Sequence, residues 1–401
     1  MKKWKGMVTF LTLAGLLLGT LPAFAQNEIL VGNITPLSGP LSFGGTEVKN
    51  GIAFAVEKKG TLFGKPIKVV MGDSPDPTAG VAELERLVTQ HKIKIFFGGY
   101  GSALEGAIQK AAERHKVLYM GTVNWADYLT EGGLKYYFRW TPPVSKYAKG
   151  FAADVLQLGK EYLKKSPKEL RVGLIHSDAT APFADPIQKF LKELGYELTL
   201  KEMYPSEIKD FTSLIMKMKA ANLDMVCPSQ YTADGLLFRR QMKALKYEPL
   251  VYAPGIIYDQ PEFGQLKDAA DGVVVLSYTN PEMNPKAAPG LAEFREKYLK
   301  RIGHAPLTHA LQAYAGASVF LEQLEKAGSA DVEKMIEALL QIDLPPGRTP
   351  AYWGCKFDPK THQNLRAGEP FVMAQWQDGG KYKVVGPGEF GVAKLKIPYT
   401  K

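Results

Sequence analysis

The chain of 401 residues reads as an α/β protein made of two doubly wound parallel-sheet lobes. Three observations predict that class. Apolar, β-rich runs alternate with amphipathic stretches of about a dozen residues, the mark of βαβ units and of a parallel sheet covered on both faces. The alternation starts afresh beyond Arg139-Trp-Thr-Pro-Pro143. The length also exceeds the size at which a single core usually stops growing, so two domains are the default. No internal repeat is present, which sets solenoids and propellers aside.

The elements follow in order. Ile29–Ile34 is a strand, and a helix over Glu47–Lys59 places Val48, Ile52, Ala55 and Val56 on one face. Pro66–Met71 is the next strand. Pro77 opens a helix to Gln90 with Asp76 as its cap, since proline fits the first helical turn. Ile93–Phe97 (strand), Ser102–His115 (helix) and Val117–Met120 (strand) complete the first series. The second series has a helix over Tyr147–Lys164, a strand at Arg171–Ile175, a helix over Pro186–Leu194 and a strand at Tyr196–Met203. It continues through helix Thr212–Ala221, strand Met225–Cys227, helix Thr232–Lys246 and strand Val251–Ala253. Gly272–Ser277 reads as a further passage between lobes. Helices at Gly290–Ile302, Leu307–Ala327 and Val332–Ile342 precede a tail rich in Gly, Pro and aromatics, with β runs at Phe371–Trp376 and Lys381–Val385.

The N-terminus has its own signature. Lys2, Lys3 and Lys5 precede an uncharged run from Val8 to Leu21, which ends in Ala23-Phe24-Ala25. This is the pattern of a cleavable signal peptide, with cleavage expected after Ala25. The run is about 14 residues, short of the roughly 20 that a membrane span requires. Removing 25 residues from 401 leaves 376, and the loss of three lysines lowers the formal charge from +9 to +6. Charges of both signs are interspersed, so no nucleic-acid footprint is expected. Cys227 and Cys355 are read as separate buried thiols; neither follows the cleavage point, so a lipoprotein site is missing.

Catalytic signatures are absent: there is no G-x-S-x-G, H-E-x-x-H or C-x-x-C. The six histidines are scattered, and His304 with His309 makes an unconvincing metal pair. No enzyme activity, metal or cofactor is expected. A dinucleotide fingerprint fails as well, because Gly99-x-Gly101 is followed at the third position by Leu104, and the next strand ends in Thr122 and Asn124 where an acidic ribose ligand would stand.

Binding chemistry is better represented. Ligands of open α/β sheets sit beyond the carboxyl ends of the strands. Those ends are Pro36–Gly45, Gly99–Ser102, Thr122–Trp125, Asp178–Phe183, Ser229–Thr232 and Pro254–Tyr258, rich in Gly, hydroxyls, amides and aromatics and poor in paired carboxylates. The turn Tyr100-Gly101-Ser102 places a serine at a helix start, where free N–H donors and a partial positive charge suit a carboxylate. An ordinary serine cap on an α/β turn looks the same.

These residues resemble the leucine/isoleucine/valine-binding branch of type I periplasmic solute-binding proteins. The resemblance covers nearly the whole mature chain. It begins with ILVGNITPLSGPLSFGG and VKNGIAFAVE and continues through GDSPDPTAGVAELERLV, FGGYGSALEGAIQKAAERHKVLYM, YFRWTPP and FADPIQKFLKELGYEL. DFTSLIMKMKAANLDMV, LLFRRQMKAL and AADGVVVLSYTNP extend it. It implies a hinged clamp of two lobes joined by three crossovers, with residues 26–141 plus 278–365 in one lobe and 142–277 plus 366–401 in the other. The implied protein is a monomer free in the periplasm that delivers a small carboxylated solute, a branched-chain or related amino acid, to an inner-membrane ABC permease. A sensor presenting ligand occupancy to a membrane receptor is the alternative role.

The resemblance also assigns residues. Ser102, Thr122 and Asn124 match the positions that contact the ligand carboxylate, with Tyr100 and Gly101 beside them. Phe183 and Tyr231 match wall positions of the second lobe. Two departures stand out. Where amino-acid binders carry an acidic residue for the ammonium group, this chain has Gly255, with Tyr258 and Asp259 beyond it. Where they carry an aromatic in the first loop it has Gly44, with Phe43 one residue earlier. Burying an ammonium without a carboxylate partner costs several kcal/mol. Aromatic or aliphatic carboxylates, amides and ureas are therefore open alternatives as ligands.

Overall fold

Alternating apolar residues let each central strand serve two cores at once, and this organises both lobes. The computed structural model describes residues 28–369 and 371–399, so the signal-peptide segment 1–25 lies outside the described residues. The first lobe is built from β1 (Ile29–Thr35), α1 (Ser42–Lys59), β2 (Thr61–Leu62), β3 (Lys65–Asp73), α2 (Pro77–His91), β4 (Ile95–Gly98), α3 (Ser102–His115), β5 (Leu118–Gly121), α4 (Tyr128–Glu131) and β6 (Tyr137–Arg139). Its sheet has the order β2-β3-β1-β4-β5-β6 and is parallel except for the β2–β3 hairpin. Along β4, Ile95 and Phe97 join the core under α1, whereas Phe96 joins the core under α2 and α3. Leu118 and Met120 against Tyr119 repeat the division on β5.

The second lobe follows the same rule. It contains α5 (Val144–Gln157), extended by a π turn over Leu158–Leu163, then β7 (Val172–Ser177), α6 (Ala181–Glu193), β8 (Leu200–Tyr204), α7 (Thr212–Ala220), β9 (Met225–Ser229), α8 (Thr232–Ala244) and β10 (Val251–Tyr252). The parallel order is β10-β9-β7-β8. Leu174 and Cys227 face α5 and α6, and Ile175 and Val226 face α7 and α8. After a short helix α9 (Pro261–Gly264), β11 (Val274–Ser277) returns the chain to helices α10 (Leu291–Ile302), α11 (Thr308–Lys326) and α12 (Val332–Leu340). Strands β12 (Val372–Gln377) and β13 (Lys381–Gly386) then pair antiparallel with β11.

Three passages connect the lobes, and they lie side by side. Asn364 Nδ2 donates to Trp140 O at 3.2 Å, and Gln363 Nε2 donates to Thr141 O at 2.9 Å. Trp353 Nε1 donates to Tyr278 O at 3.1 Å, tying the second passage in. Gly368, at φ +82°, abuts Pro142: a Cβ there would stand 2.9 Å from the proline ring. The two cysteines are buried as separate thiols.

Most expected elements form within a few residues of their bounds, and the differences have local causes. Asp76 caps α2 as expected, accepting from Ala79 N–H at 2.9 Å. Helix α3 begins at Ser102, but Gly101 is its cap, so Ser102 is the first helical residue. Helix α1 starts at Ser42, not Glu47, so part of the first loop is already helical. The helix expected from Pro186 starts at Ala181 with Pro182 in its first turn, following a 3-10 turn over Asp178–Thr180 that Ser177 and Thr180 cap reciprocally. Tyr137–Arg139, where the sequence predicts no strand, forms the edge strand β6, which takes in the first residue of the Arg139–Pro143 connection.

One buried acid sets an expectation for stability. Asp154 on α5 is buried, its Oδ2 has no partner among the described residues, and burial pushes its carboxyl from 3.8 up to about 7. The native state therefore holds a proton that the unfolded chain gives up above its lower pKa. Stability from this group falls as pH rises from about 4 and levels off above about 7. Calorimetric melting between pH 5 and 8 is expected to show a shallower decline in Asp154→Asn than in the wild type.

Candidate functional site

Each sheet reverses its winding direction beside its first strand, and the carboxyl ends at those switch points face each other. In the first lobe the point lies between β1 and β4, at the start of α3; in the second it lies between β7 and β9. Between them is a cavity of about 810 Å³. All six strand-end segments named from the sequence contribute at least one lining residue.

One corner of the cavity is the start of α3. Gly99 and Gly101 take φ values of +115° and +94°, which turn the backbone sharply into the helix. Ser102 Oγ accepts from Ala126 N–H at 3.3 Å, which leaves its own proton to donate. The first N–H groups of α3 add their partial positive charge. Asn124 lines the same corner, with its buried amide turned toward the Glu105 carboxyl. Beneath it Glu105 accepts from Tyr119 Oη at 2.9 Å and Tyr137 Oη at 3.1 Å, and burial pushes its carboxyl up to about 7.

Aromatic rings form the walls. Trp125 meets Tyr147 at 5.8 Å, His309 at 6.4 Å and, across the cleft, Phe183 at 6.1 Å between ring centroids. Tyr231 also lines the cavity, and Tyr100 stands against His309 at 5.0 Å. Burial is the main reason that the Tyr100 phenol stays protonated far above its ordinary range. Burial likewise lowers His309 to about 4, so this imidazole is neutral at pH 7. Asp127 is the one carboxylate on the lining among the described residues, and its two oxygens accept from Ser145 N–H and Ser145 Oγ.

The two glycine departures have a spatial explanation. A Cβ on Gly44 would lie 2.1 Å from the Tyr100 ring, and a Cβ on Gly255 would lie 2.4 Å from Tyr147 Oη. In both places a tyrosine from another element fills the volume a side chain would need. An aromatic thus occupies the first-loop position from Tyr100, and a phenol occupies the position where a carboxylate was sought.

Of the residues named from the sequence, Tyr100, Gly101, Ser102, Asn124, Phe183, Tyr231 and Gly255 come together on the lining. Three do not. Thr122 is fully buried and its Oγ1 donates to Gly98 O at 2.8 Å, so its hydroxyl is already used by its own sheet. Phe43 is exposed and off the lining, and the Tyr100 ring fills the space beside its neighbour Gly44. Tyr258 lies in the second-lobe core, bonded to Gln230 Oε1 and to Tyr252 Oη at 3.0 Å, and so supports the lining residue Gln230 from behind. Sequence reasoning missed Trp125 as a wall residue in its own right, as well as Tyr147 and His309. Trp125 fell within a named segment; Tyr147 and His309 carry no local signal, since each sits among the apolar positions of a helix.

Comparisons with known proteins agree with this architecture. Residues 28–381 match a family model described as periplasmic binding protein. The Leu/Ile/Val-binding protein homolog 7 of Brucella suis biovar 1 is 32% identical, covering 97% of this chain and 98% of the relative. Two solved structures share the fold. The branched-chain amino acid transporter substrate binding protein of Streptococcus pneumoniae, in complex with isoleucine, has a TM-score of 0.73 at 21% identity, covering 90% of this chain and 100% of that one. A solute binding protein of an ABC transporter from Rhodopseudomonas palustris, in complex with 3,4-dihydroxybenzoic acid, has a TM-score of 0.75 at 21% identity, covering 91% and 98%.

Proposed function

The chain belongs to the periplasmic binding protein family, and from that premise we propose that it captures a small carboxylate with an aromatic or aliphatic body and delivers it to an inner-membrane ABC permease. The family is one of solute-binding proteins, not enzymes. The lobes proposed are residues 26–141 plus 278–365 and 142–277 plus 366–401, acting as a periplasmic monomer after cleavage behind Ala25.

The observation that carries the ligand class is a cluster of donors on a lining whose described residues include no unengaged carboxylate. Ser102 Oγ and the first N–H groups of α3 converge where a carboxylate would sit, with Asn124 beside them on the lining. The lining offers an ammonium only Asp127, whose oxygens are already engaged by Ser145. Aromatic walls suit an apolar body, and about 810 Å³ lies within the range of small-molecule sites. The isoleucine and 3,4-dihydroxybenzoic acid held by the two fold neighbours both carry a carboxylate, and only the first carries an ammonium.

A thermal-shift screen on ligand-stripped protein tests this reading, using aromatic acids, aliphatic acids, branched-chain amino acids, amides and ureas. A true ligand at 100 times its Kd stabilises the native state by about 2.7 kcal/mol. Aromatic or aliphatic acids are expected to shift melting. A response to branched-chain amino acids alone, abolished by Asp127→Asn, would assign the ammonium to Asp127 and overturn the proposed class. Ser102→Ala is expected to weaken binding of a responding acid by about 1–3 kcal/mol, because a charge-assisted donor is lost. Unchanged affinity by calorimetry would remove Ser102 from the carboxylate corner.

A further inference from the structure

We propose that Asp259 is a positioning residue that latches the second lobe onto the first by capping helix α11 across the cleft. The inference rests on the reading that the lobes part to admit solute. Asp259 ends a short 3-10 turn, Ile256–Asp259, that leaves β10. Its neighbour Tyr258 is anchored in the second-lobe core, with Trp376 Nε1 donating to Tyr258 O at 2.8 Å. The partner of Asp259 lies in the other lobe. Thr308, the first residue of α11, donates both its Oγ1–H and its backbone N–H to the Asp259 carboxylate. Thr308 has no capping residue of its own before it, because Leu307 occupies the cap position.

The place of this contact gives it consequences for binding. α11 packs along α1, and its second residue, His309, forms the cavity wall against Tyr100 and Trp125. A contact that fixes the first turn of α11 therefore fixes a wall of the site. The same helix start receives a second carboxylate from the first lobe. Leu307 N–H donates to Glu47 Oε2 at 3.2 Å, and Tyr298 Oη donates to Glu47 Oε1 at 2.7 Å. Closing the cleft thus brings two acids from opposite lobes to one helix terminus, where like charges repel.

The titratable surroundings do not supply a counter-charge to Asp259. Tyr100 ahead of α3, Tyr298 on α10 and Tyr382 on β13 are all phenols held protonated, mainly by burial. His309 on α11 is neutral for the same reason. His304 lies 3.7 Å from Glu47 Oε1, on the far side of that carboxylate, and Glu262 on α9 adds a further negative charge facing Glu47. Burial, with a smaller contribution from the Glu47 charge, pushes the Asp259 carboxyl from 3.8 up to about 7, and burial raises Glu47 as well. When the lobes separate, Asp259 returns to water and to its ordinary value. The closed form then holds a proton that the open form releases between about pH 4 and pH 7. Closure is favoured as pH falls through that window, by up to about tenfold per pH unit for one proton.

Small-angle X-ray scattering of the ligand-free protein from pH 8.5 to pH 5.5 tests the latch. The wild type is expected to contract as pH falls. Asp259→Asn, which keeps a hydrogen-bonding group but cannot ionise, is expected to give a radius of gyration that does not change with pH. Thr308→Val, which removes the hydroxyl donor, is expected to be more expanded than the wild type at pH 5.5, with its melting curve reporting that it folds. A wild-type radius independent of pH, or a pH response retained by Asp259→Asn, overturns the proposal. Because no solute is used, this result and that of the ligand screen fail or succeed separately.

Discussion

Gly255→Asp is expected to abolish solute binding instead of converting the protein into an amino-acid binder. The new Cβ would stand 2.4 Å from Tyr147 Oη, well inside any permitted contact. Tyr147 cannot simply swing aside, since its ring is packed against Tyr278 at 5.0 Å, Phe371 at 5.5 Å and Trp125 at 5.8 Å. Overpacking of this kind typically costs about 1–3 kcal/mol, and a carboxylate placed among those rings without a partner adds a similar desolvation penalty. Together these correspond to a loss of affinity on the order of a hundredfold or more. The companion change discriminates between space and charge. In Gly255→Asp combined with Tyr147→Ala, the volume is free, so an ammonium-bearing amino acid gains a partner and should bind better than it does to the wild type. Calorimetry on both variants reads this directly. Full affinity for the original solute in the single variant would show that Tyr147 does not guard that position.

Trp125→Ala is expected to produce the largest loss of stability among the cavity residues. Trp125 is buried and packs against Tyr147, Phe183, Tyr278 and His309, so it joins the first lobe, the second lobe and one of the passages between them. Truncating a buried tryptophan removes its transfer energy and leaves a cavity, at a cost of about 3–5 kcal/mol. Solute affinity should fall with it, because the ring is also a wall of the site. Trp125→Phe should recover part of both losses. A denaturation midpoint within experimental error of the wild type would mean that the rings around Trp125 collapse into the space it leaves.

The contrast between Thr122 and Asn124 shows how far the site could be read from residue types. Both stand beyond the end of β5, both are polar, and both match ligand-contacting positions by resemblance. Only Asn124 reaches the cavity, because Thr122 is buried with its Oγ1 donating to the carbonyl of Gly98 on the neighbouring strand. That difference depends on the register of β5 against β4, which no local pattern encodes. Tyr258 fails for the same kind of reason: it follows a strand end, but Gln230 and Tyr252 draw its hydroxyl into the core. Tyr147 and His309 were missed because each replaces an apolar residue on a helix whose buried face happens to border the cleft.

What the sequence determines by itself is whatever is set within a few residues. The two-residue period of Ile95-Phe96-Phe97, the Asp76 side chain at the head of α2, and the glycines before Ser102 each act locally, so the order of strands and helices and the tight turn into α3 could be read in advance. What only the tertiary structure decides is which side chains share a volume. Gly44 is a glycine because of Tyr100, and Gly255 is one because of Tyr147, pairs brought together by packing between separate elements. Space in a close-packed interior is exclusive, so the character of the ligand site follows from which residue fills each gap, and that is known only once the lobes are assembled.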